Sequence, residues 1–178
     1  MKYKPMTFWF TGLSGAGKST LAFALEKALA DSGYRNFVLD GDHMREGLNK
    51  NLGFSFEDRR ENIRRISEVS KLMNDAGLIV ITALISPLKS DREMAKNIIG
   101  ENFFREIYVS TPLQICQNRD PKGLYKKAST GLIKNFTGIS APYEPPFNPA
   151  LIVDTSNSAN DKVMAQLLAF VKKVVTIE

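Results

Sequence analysis

The chain has 178 residues, 43% hydrophobic and 24% charged, and its 24 Lys and Arg outnumber 19 Asp and Glu for a formal charge of +5. That length suits one domain of about 100–200 residues with a sizeable core, and the composition excludes a disordered tail or a fibrous repeat. The longest nearly apolar run, Leu78 to Ile85, is far short of the about 20 residues that a membrane helix needs. The basic balance favours an acidic ligand, with nucleic acid, anionic lipid and a phosphorylated small molecule all open at this point.

Cysteine occurs once, at Cys116, so no internal disulfide is expected, and no cluster of zinc-ligand spacing surrounds the single His43. The start, Met1 to Met6, has two lysines and no apolar segment. The expectation is a protein without a targeting peptide in a reducing cytoplasm.

In chain order the predicted elements alternate. Thr7–Thr11 reads as a strand, and Ser19–Ala30 has helical spacing stopped at Asp31-Ser32-Gly33. Phe37–Asp40 is a second strand, and Asp58–Asn74 a second helix, stopped at Asp75-Ala76-Gly77. Strands follow at Leu78–Leu84, Glu106–Ser110 and Leu151–Asp154, with helices at Pro112–Asn118 and Asn160–Val175. Strands this continuously apolar belong to a sheet covered on both faces, and their alternation with helices means βαβ units. The expected fold is α/β, one domain over residues 1–178 with a parallel sheet whose C-terminal strand ends carry the ligand. Two segments interrupt the alternation. Arg119–Lys134 carries Arg119, Lys122, Lys126, Lys127 and Lys134 against Asp120 alone and could be no more than a solvated basic face. Pro142–Pro149 reads as a stiff crossing loop rather than a polyproline ligand.

The run Gly12-Leu13-Ser14-Gly15-Ala16-Gly17-Lys18-Ser19 fits G-x-x-x-x-G-K-[ST] at every fixed position, between a predicted strand and a predicted helix. Glycines let backbone N–H groups wrap phosphate oxygens, and the helix N-terminus adds its positive end. Lys18 can reach the β- and γ-phosphates of a nucleoside triphosphate, and the Ser19 hydroxyl can ligate Mg²⁺. The base-reading Asn-Lys-x-Asp of GTPases is not supplied by Asn49-Lys50-Asn51-Leu52. An acidic pair, Asp40 and Asp42, ends the second strand, where carboxylates can hold Mg²⁺ water or orient an attacking hydroxyl; the simpler alternative is a strand-ending turn.

Arg45 follows Asp42 by three residues, and Arg59 and Asn62 share a helix face with Ile66 and Val69. Arg60, Arg64 and Arg65 fall on other faces and read as solvated. An Arg–Asn pair beside two carboxylates suits an anionic acceptor that carries a hydroxyl, because guanidinium grips phosphate-like oxygens bidentately. Phe54 and Phe136 stand in Gly-bearing loop contexts, where each could pack in the core or stack on a base.

Together these blocks resemble adenylylsulfate kinases. The resemblance runs through Gly12 to Thr20, Leu39-Asp40-Gly41-Asp42 with Arg45, and Leu52-Gly53-Phe54. It continues through Asp58 to Arg65, Ile85-Ser86-Pro87, Asp120 to Ala128 and Ile133 to Gly138. It covers about Phe8 to Thr155 and implies a P-loop NTPase-like three-layer fold, about five parallel strands with helices on both faces and a basic lid over residues 119–138. It implies phosphorylation of the 3′-hydroxyl of adenylylsulfate by MgATP in sulfate activation, giving 3′-phosphoadenylylsulfate and ADP. Gly12, Ser14, Gly15, Ala16, Gly17, Lys18, Ser19 and Thr20 would hold ATP, with Arg119 and Thr155 at its adenine. Asp42, Arg45, Phe54, Arg59, Asn62, Ile85, Ser86, Lys122, Asn135 and Phe136 would hold adenylylsulfate, the two Phe sandwiching its adenine. Lys18, Asp42 and Ser86 would be the catalytic set, Ser86 matching a position that the family labels a phosphoserine, and Ser19 with Asp40 would serve Mg²⁺. His43, Leu84, Lys89 and Leu132 depart from the family's usual residues without removing any of these groups. The resemblance also implies a homodimer acting on two small anionic nucleotides, with neither nucleic acid nor membrane as partner. The alternative is a P-loop kinase for another small acceptor, a nucleoside or a sugar acid.

Overall fold

The computed structural model describes residues 3–156 and 160–177; the first two residues of the lysine-bearing N-terminus lie outside this range. Five strands, β1 (Thr7–Thr11), β2 (Asn36–Asp40), β3 (Ile79–Ala83), β4 (Phe104–Val109) and β5 (Leu151–Val153), form one sheet in the order β2-β3-β1-β4-β5. Every pairing is parallel, with Phe8 opposite Ile81 on one side and Arg105 on the other. β1 and β3 are buried along their whole length, which their continuous apolar and β-branched sequences require.

Side-chain alternation on β1 builds two cores at once. Phe8 and Phe10 pack with Leu21, Leu25 and Leu29 of α1 (Lys18–Asp31) and with Leu167, Val171 and Val175 of α7 (Asn160–Val175). Trp9 faces the other way, among Ile63 and Ile66 of α3 (Phe56–Asp75) and Ala95 and Ile99 of α4 (Lys89–Ile99). The result is the expected three-layer arrangement. From β1 the chain passes through α1 to β2, leaving room for β3 between them. Later crossovers run to the opposite side, so the strand order reverses at β1 and opens a crevice beyond its C-terminal end.

Three helices lie outside the stretches read as long helices from the sequence, the first of them only touched by the helical spacing of Asp42 and Arg45. The short α2 (Gly41–Glu46) begins where the second strand ends, its N-terminus capped by the Asp40 carboxylate accepting from the Asp42 N–H at 3.0 Å. Within the basic segment, α6 (Leu124–Ser129) follows α5 (Leu113–Arg119). α4 escaped notice because its apolar residues, Met94, Ala95, Ile98 and Ile99, are crowded at its C-terminal end, while its first turn buries the charged Asp91 and Arg92. Hydrophobic periodicity does not register a buried face made of charges.

The faces of α3 make a direct test. Ile66 is fully buried, whereas Leu72 is 68% exposed. Ile66→Ala is expected to lower unfolding free energy by about 2–5 kcal/mol in urea titration, and Leu72→Ala to change it by no more than about 0.5 kcal/mol.

Candidate active site

The turn from β1 into α1 is forced into shape by its neighbours. Gly12 has φ 153°, and a Cβ there would stand 2.6 Å from the Val109 carbonyl oxygen, so only glycine lets the loop leave the sheet beside β4. Gly17, left-handed at φ 93°, starts α1. Lys18 is buried, and its ammonium donates to the Gly12 and Leu13 carbonyls at 2.9 and 2.7 Å. Burial pushes its pKa down to about 8, against the pull of the Cys116 thiol and the Asp40 and Asp42 carboxylates. Ser19 and Thr20 are exposed at the head of α1, and the Ser19 hydroxyl donates to Asp40 Oδ2 at 2.6 Å, joining the loop to the end of β2.

The loop's far side is fastened by residues distant in sequence. The Ala16 carbonyl accepts from Thr111 Oγ1 at 3.1 Å and from Thr155 Oγ1 at 2.8 Å. Arg119 donates to Thr155 Oγ1 at 2.8 Å, to the Thr155 carbonyl, and to the Gly15 carbonyl at 3.4 Å. Arg119 and Thr155, paired on the resemblance alone, are thus in contact beside Gly15 and Ala16. The Ser14 carbonyl accepts from the Tyr125 hydroxyl at 3.0 Å, tying α6 to the same loop.

Beyond the end of β2, Asp42 pairs with Lys122 of the basic segment. Arg45 donates to the Leu52 and Gly53 carbonyls at 3.1 and 2.8 Å, and its guanidinium lies 4.4 Å from the ring centre of Phe54, a cation–π contact. Arg59 reaches the Phe54 carbonyl at 3.0 Å, the Thr137 hydroxyl at 2.8 Å and the Asn135 carbonyl at 2.6 Å, bridging α3 to the end of the basic segment. Burial lowers the pKa of both arginines, with Arg45 adding to the effect at Arg59. Asn62 is buried and accepts from Asn49. Phe54 is 66% exposed and Phe136 7%, its ring edge-on to Tyr125 at 5.0 Å, so each ring has its own neighbour rather than the other.

Ile85 and Ser86 follow β3. The Ile85 carbonyl accepts from Thr11 Oγ1 at 2.7 Å, and the Ser86 hydroxyl, 3% exposed, accepts from Trp9 Nε1 at 3.1 Å. Ser86 holds φ 37°, a left-handed backbone that a serine rarely adopts. It stays there because Arg92 donates to its carbonyl at 2.8 Å, while Arg92 Nε lies 2.7 Å from Glu106 Oε1 and Arg92 NH2 2.7 Å from the Glu144 carbonyl. Tyr143, in the proline-rich loop, meets Thr11 Oγ1 at 3.0 Å. Sequence reasoning missed Arg92, Thr111, Tyr125 and Tyr143, all joined to the site by tertiary contacts that no local pattern announces. Arg65, read as solvated, instead donates to the Leu48 carbonyl and to Asn51 Oδ1, bracing the α2–α3 connection.

Comparison with known proteins identifies the family. The adenylylsulphate kinase family model matches residues 4–154. The adenylyl-sulfate kinase of Shewanella amazonensis is 56% identical over 91% of this chain and 82% of its own, and that of Staphylococcus carnosus 54% over 96% and 85%. Among solved structures, the Mycobacterium tuberculosis APS kinase in complex with AMPPNP and APS superposes with a TM-score of 0.90 at 44% identity, covering 95% of this chain and 98% of that one. A hexameric APS kinase from Thiobacillus denitrificans superposes at 0.73 and 33% identity, covering 97% of this chain and 29% of that one. A family model that matches most of the chain, and relatives more than half identical along nearly its whole length, show that this chain belongs to the adenylylsulphate kinase family.

Proposed function

We propose that the chain transfers the γ-phosphoryl group of ATP to the 3′-hydroxyl of adenylylsulfate, giving ADP and 3′-phosphoadenylylsulfate. The observation that carries this reading is the meeting of the Lys18–Ser19 loop after β1 with Asp40 at the end of β2, with Asp42 two residues further on and paired to Lys122. Phosphoryl transfer asks little covalent chemistry of a protein; it asks for alignment and charge neutralisation. Lys18 is the clamp on the β- and γ-oxygens, and the loop N–H groups from Gly12 to Thr20 cradle the phosphates. Arg119 and Thr155 flank the nucleotide's adenine. Asp42 accepts a hydrogen bond from the attacking 3′-hydroxyl and draws off its proton. Lys122, Arg45 and Arg59 hold the phosphosulfate, Asn62, Ile85, Ser86 and Asn135 shape its surroundings, and Phe54 and Phe136 take the adenine.

Ser19 and Asp40 fit Mg²⁺: both donors are hard oxygens, placed 2.6 Å apart beside the phosphate loop. Mg²⁺ takes one or two protein oxygens together with phosphates and water, and when bound it would neutralise charge on the β- and γ-oxygens. The basic segment 119–138 serves as a lid that excludes water from the transfer, its single-domain frame extending over residues 1–178. Ser86, held in a strained backbone, acts by position, since in-line transfer needs no covalent serine intermediate. A homodimer belongs to the same reading on the strength of the resemblance, and light scattering at one chain mass would remove it.

ADP release measured with MgATP and a panel of acceptors tests the activity. Adenylylsulfate should stimulate release well above the acceptor-free rate, whereas nucleosides and sugar acids should not; the opposite ranking would replace the assignment. Lys18→Ala should slow the adenylylsulfate-dependent rate about a hundredfold or more.

The lowered pKa of Lys18 sets a pH signature. Free Lys18 loses its proton near pH 8, and the triphosphate favours the ammonium, so ATP binding between about pH 8 and 10 should draw in protons. Calorimetry at pH 8.5 in two buffers of different ionisation enthalpy should show proton uptake in the wild type and none in Lys18→Met. Equal observed heats in the two buffers would place the ammonium's pKa elsewhere.

A further inference from the structure

Beneath the acceptor side, two buried amides hold an orientation that the roles above leave unexplained. Asn49 lies in the connection between α2 and α3 and is fully buried. Its backbone is fixed in both directions: its N–H donates to the Met44 carbonyl at 2.8 Å, and its carbonyl accepts from the Leu52 N–H at 3.0 Å. The Asn49 side-chain nitrogen, Nδ2, donates to Asn62 Oδ1 at 2.9 Å, yet Asn49 Oδ1 is sealed from solvent with no partner among the described residues. Asn62 Nδ2, by contrast, donates to no protein acceptor among the described residues and is not sealed from solvent.

The polarity of this pair has a physical reason. Turning both amides over would keep one hydrogen bond between them but would orphan the Asn49 N–H group instead of its oxygen. Orphaned buried donors are rarer than under-satisfied carbonyls. Asn62 therefore keeps its oxygen inward and its Nδ2 outward. A leucine at position 49, branched at the same carbon, would remove the orphaned oxygen and fill the space but leave Asn62 without its inward donor, exchanging one unpaired group for another, so stability alone does not single out asparagine. The outward Nδ2 sits one helical turn from Arg59 on α3, and Arg45 donates into the same connection that holds Asn49.

We infer that Asn49 is a positioning residue that locks Asn62 with its Nδ2 outward, so that the site presents a donor and selects an oxygen that can only accept, such as one on the phosphosulfate of adenylylsulfate. The inference rests on the acceptor site proposed above. Asn49 touches no substrate itself; it dictates which end of another side chain does.

Two variants read this out. In Asn49→Asp the new carboxylate accepts only, so Asn62 turns to donate inward and faces its oxygen toward the substrate's oxygen. In Asn49→Leu the inner donor is gone and Asn62 is free to turn either way. KM for adenylylsulfate should rise about ten- to a hundredfold in Asn49→Asp and less in Asn49→Leu, with KM for ATP unchanged in both and the melting temperature of Asn49→Leu close to that of the wild type. Unchanged KM for adenylylsulfate in both variants overturns the inference, as does a parallel loss in both substrates that follows melting temperature. Should Asn49→Asp fail to fold, Asn49→Leu decides alone by the same split. Titration of adenylylsulfate binding without ATP ranks the proteins independently of turnover. A wild type that binds but does not transfer would thus contradict the proposed function, and equal binding by all three would contradict the role of Asn49.

Discussion

A buried ammonium stands at the centre of this molecule. Lys18 leaves solvent at the point where β1 gives way to α1, and its partners there are two carbonyl oxygens of its own loop. A cation desolvated to this degree is costly unless negative charge is brought to it, and the structure gathers the means of doing so. Gly12 lets the loop press against Val109, Ser19 and Asp40 link the loop to β2, and the sheet's reversal at β1 opens the crevice in which a triphosphate can lie. Without the tight turn at Gly12 the ammonium would sit elsewhere, and the acidic end of β2 would face nothing.

Around that centre the chain ties remote segments to the phosphate loop with single, well-placed bonds. Thr11, the last residue of β1, receives Tyr143 from the proline-rich loop and donates to Ile85 after β3. Ser14 receives Tyr125 from α6, and Ala16 receives Thr111 and Thr155. Arg92 draws Ser86, Glu106 and Glu144 together, so that one guanidinium sets the strained serine against the sheet and the crossing loop. The phosphate loop, the turn after β3 and the basic segment are therefore tied together at their roots, although Lys122 and Phe54 remain exposed. A fixed frame with an exposed, charged rim is the arrangement that phosphoryl transfer favours, because positioning is fixed in advance and closure comes last.

Much of this was legible in the residues. The five strands announced themselves as continuous apolar runs, and the phosphate loop by its glycine spacing between strand and helix. Arg59 and Asn62 shared a helical stripe with Ile66, and Cys116 proved to be a small buried core residue. What stayed hidden had physical causes. α4 buries Asp91 and Arg92 on its inner face, which hydropathy reads as surface. Arg65, placed in solvent by its helical phase, reaches back to Leu48 and Asn51 because a long side chain is not bound by the face of its Cα. The partners of Thr155 and Ser86 lie tens of residues away in sequence, and no local window contains Arg119 or Trp9 together with them.

Several of the chain's cations gather near the phosphate loop and the end of β2: Arg45 and Arg59 reach carbonyls on either side of Phe54, Lys122 pairs with Asp42, and Arg119 holds Thr155. The central claim is that this charge serves a transfer directed to one oxygen. The direct measurement is incubation with ATP labelled in its γ-phosphoryl group and adenylylsulfate, followed by determination of where the label resides. Label on the 3′-oxygen of adenylylsulfate, with none transferred to the 3′-deoxy analogue, is the predicted result. Label found only in inorganic phosphate, or transferred equally to the 3′-deoxy analogue, would contradict it.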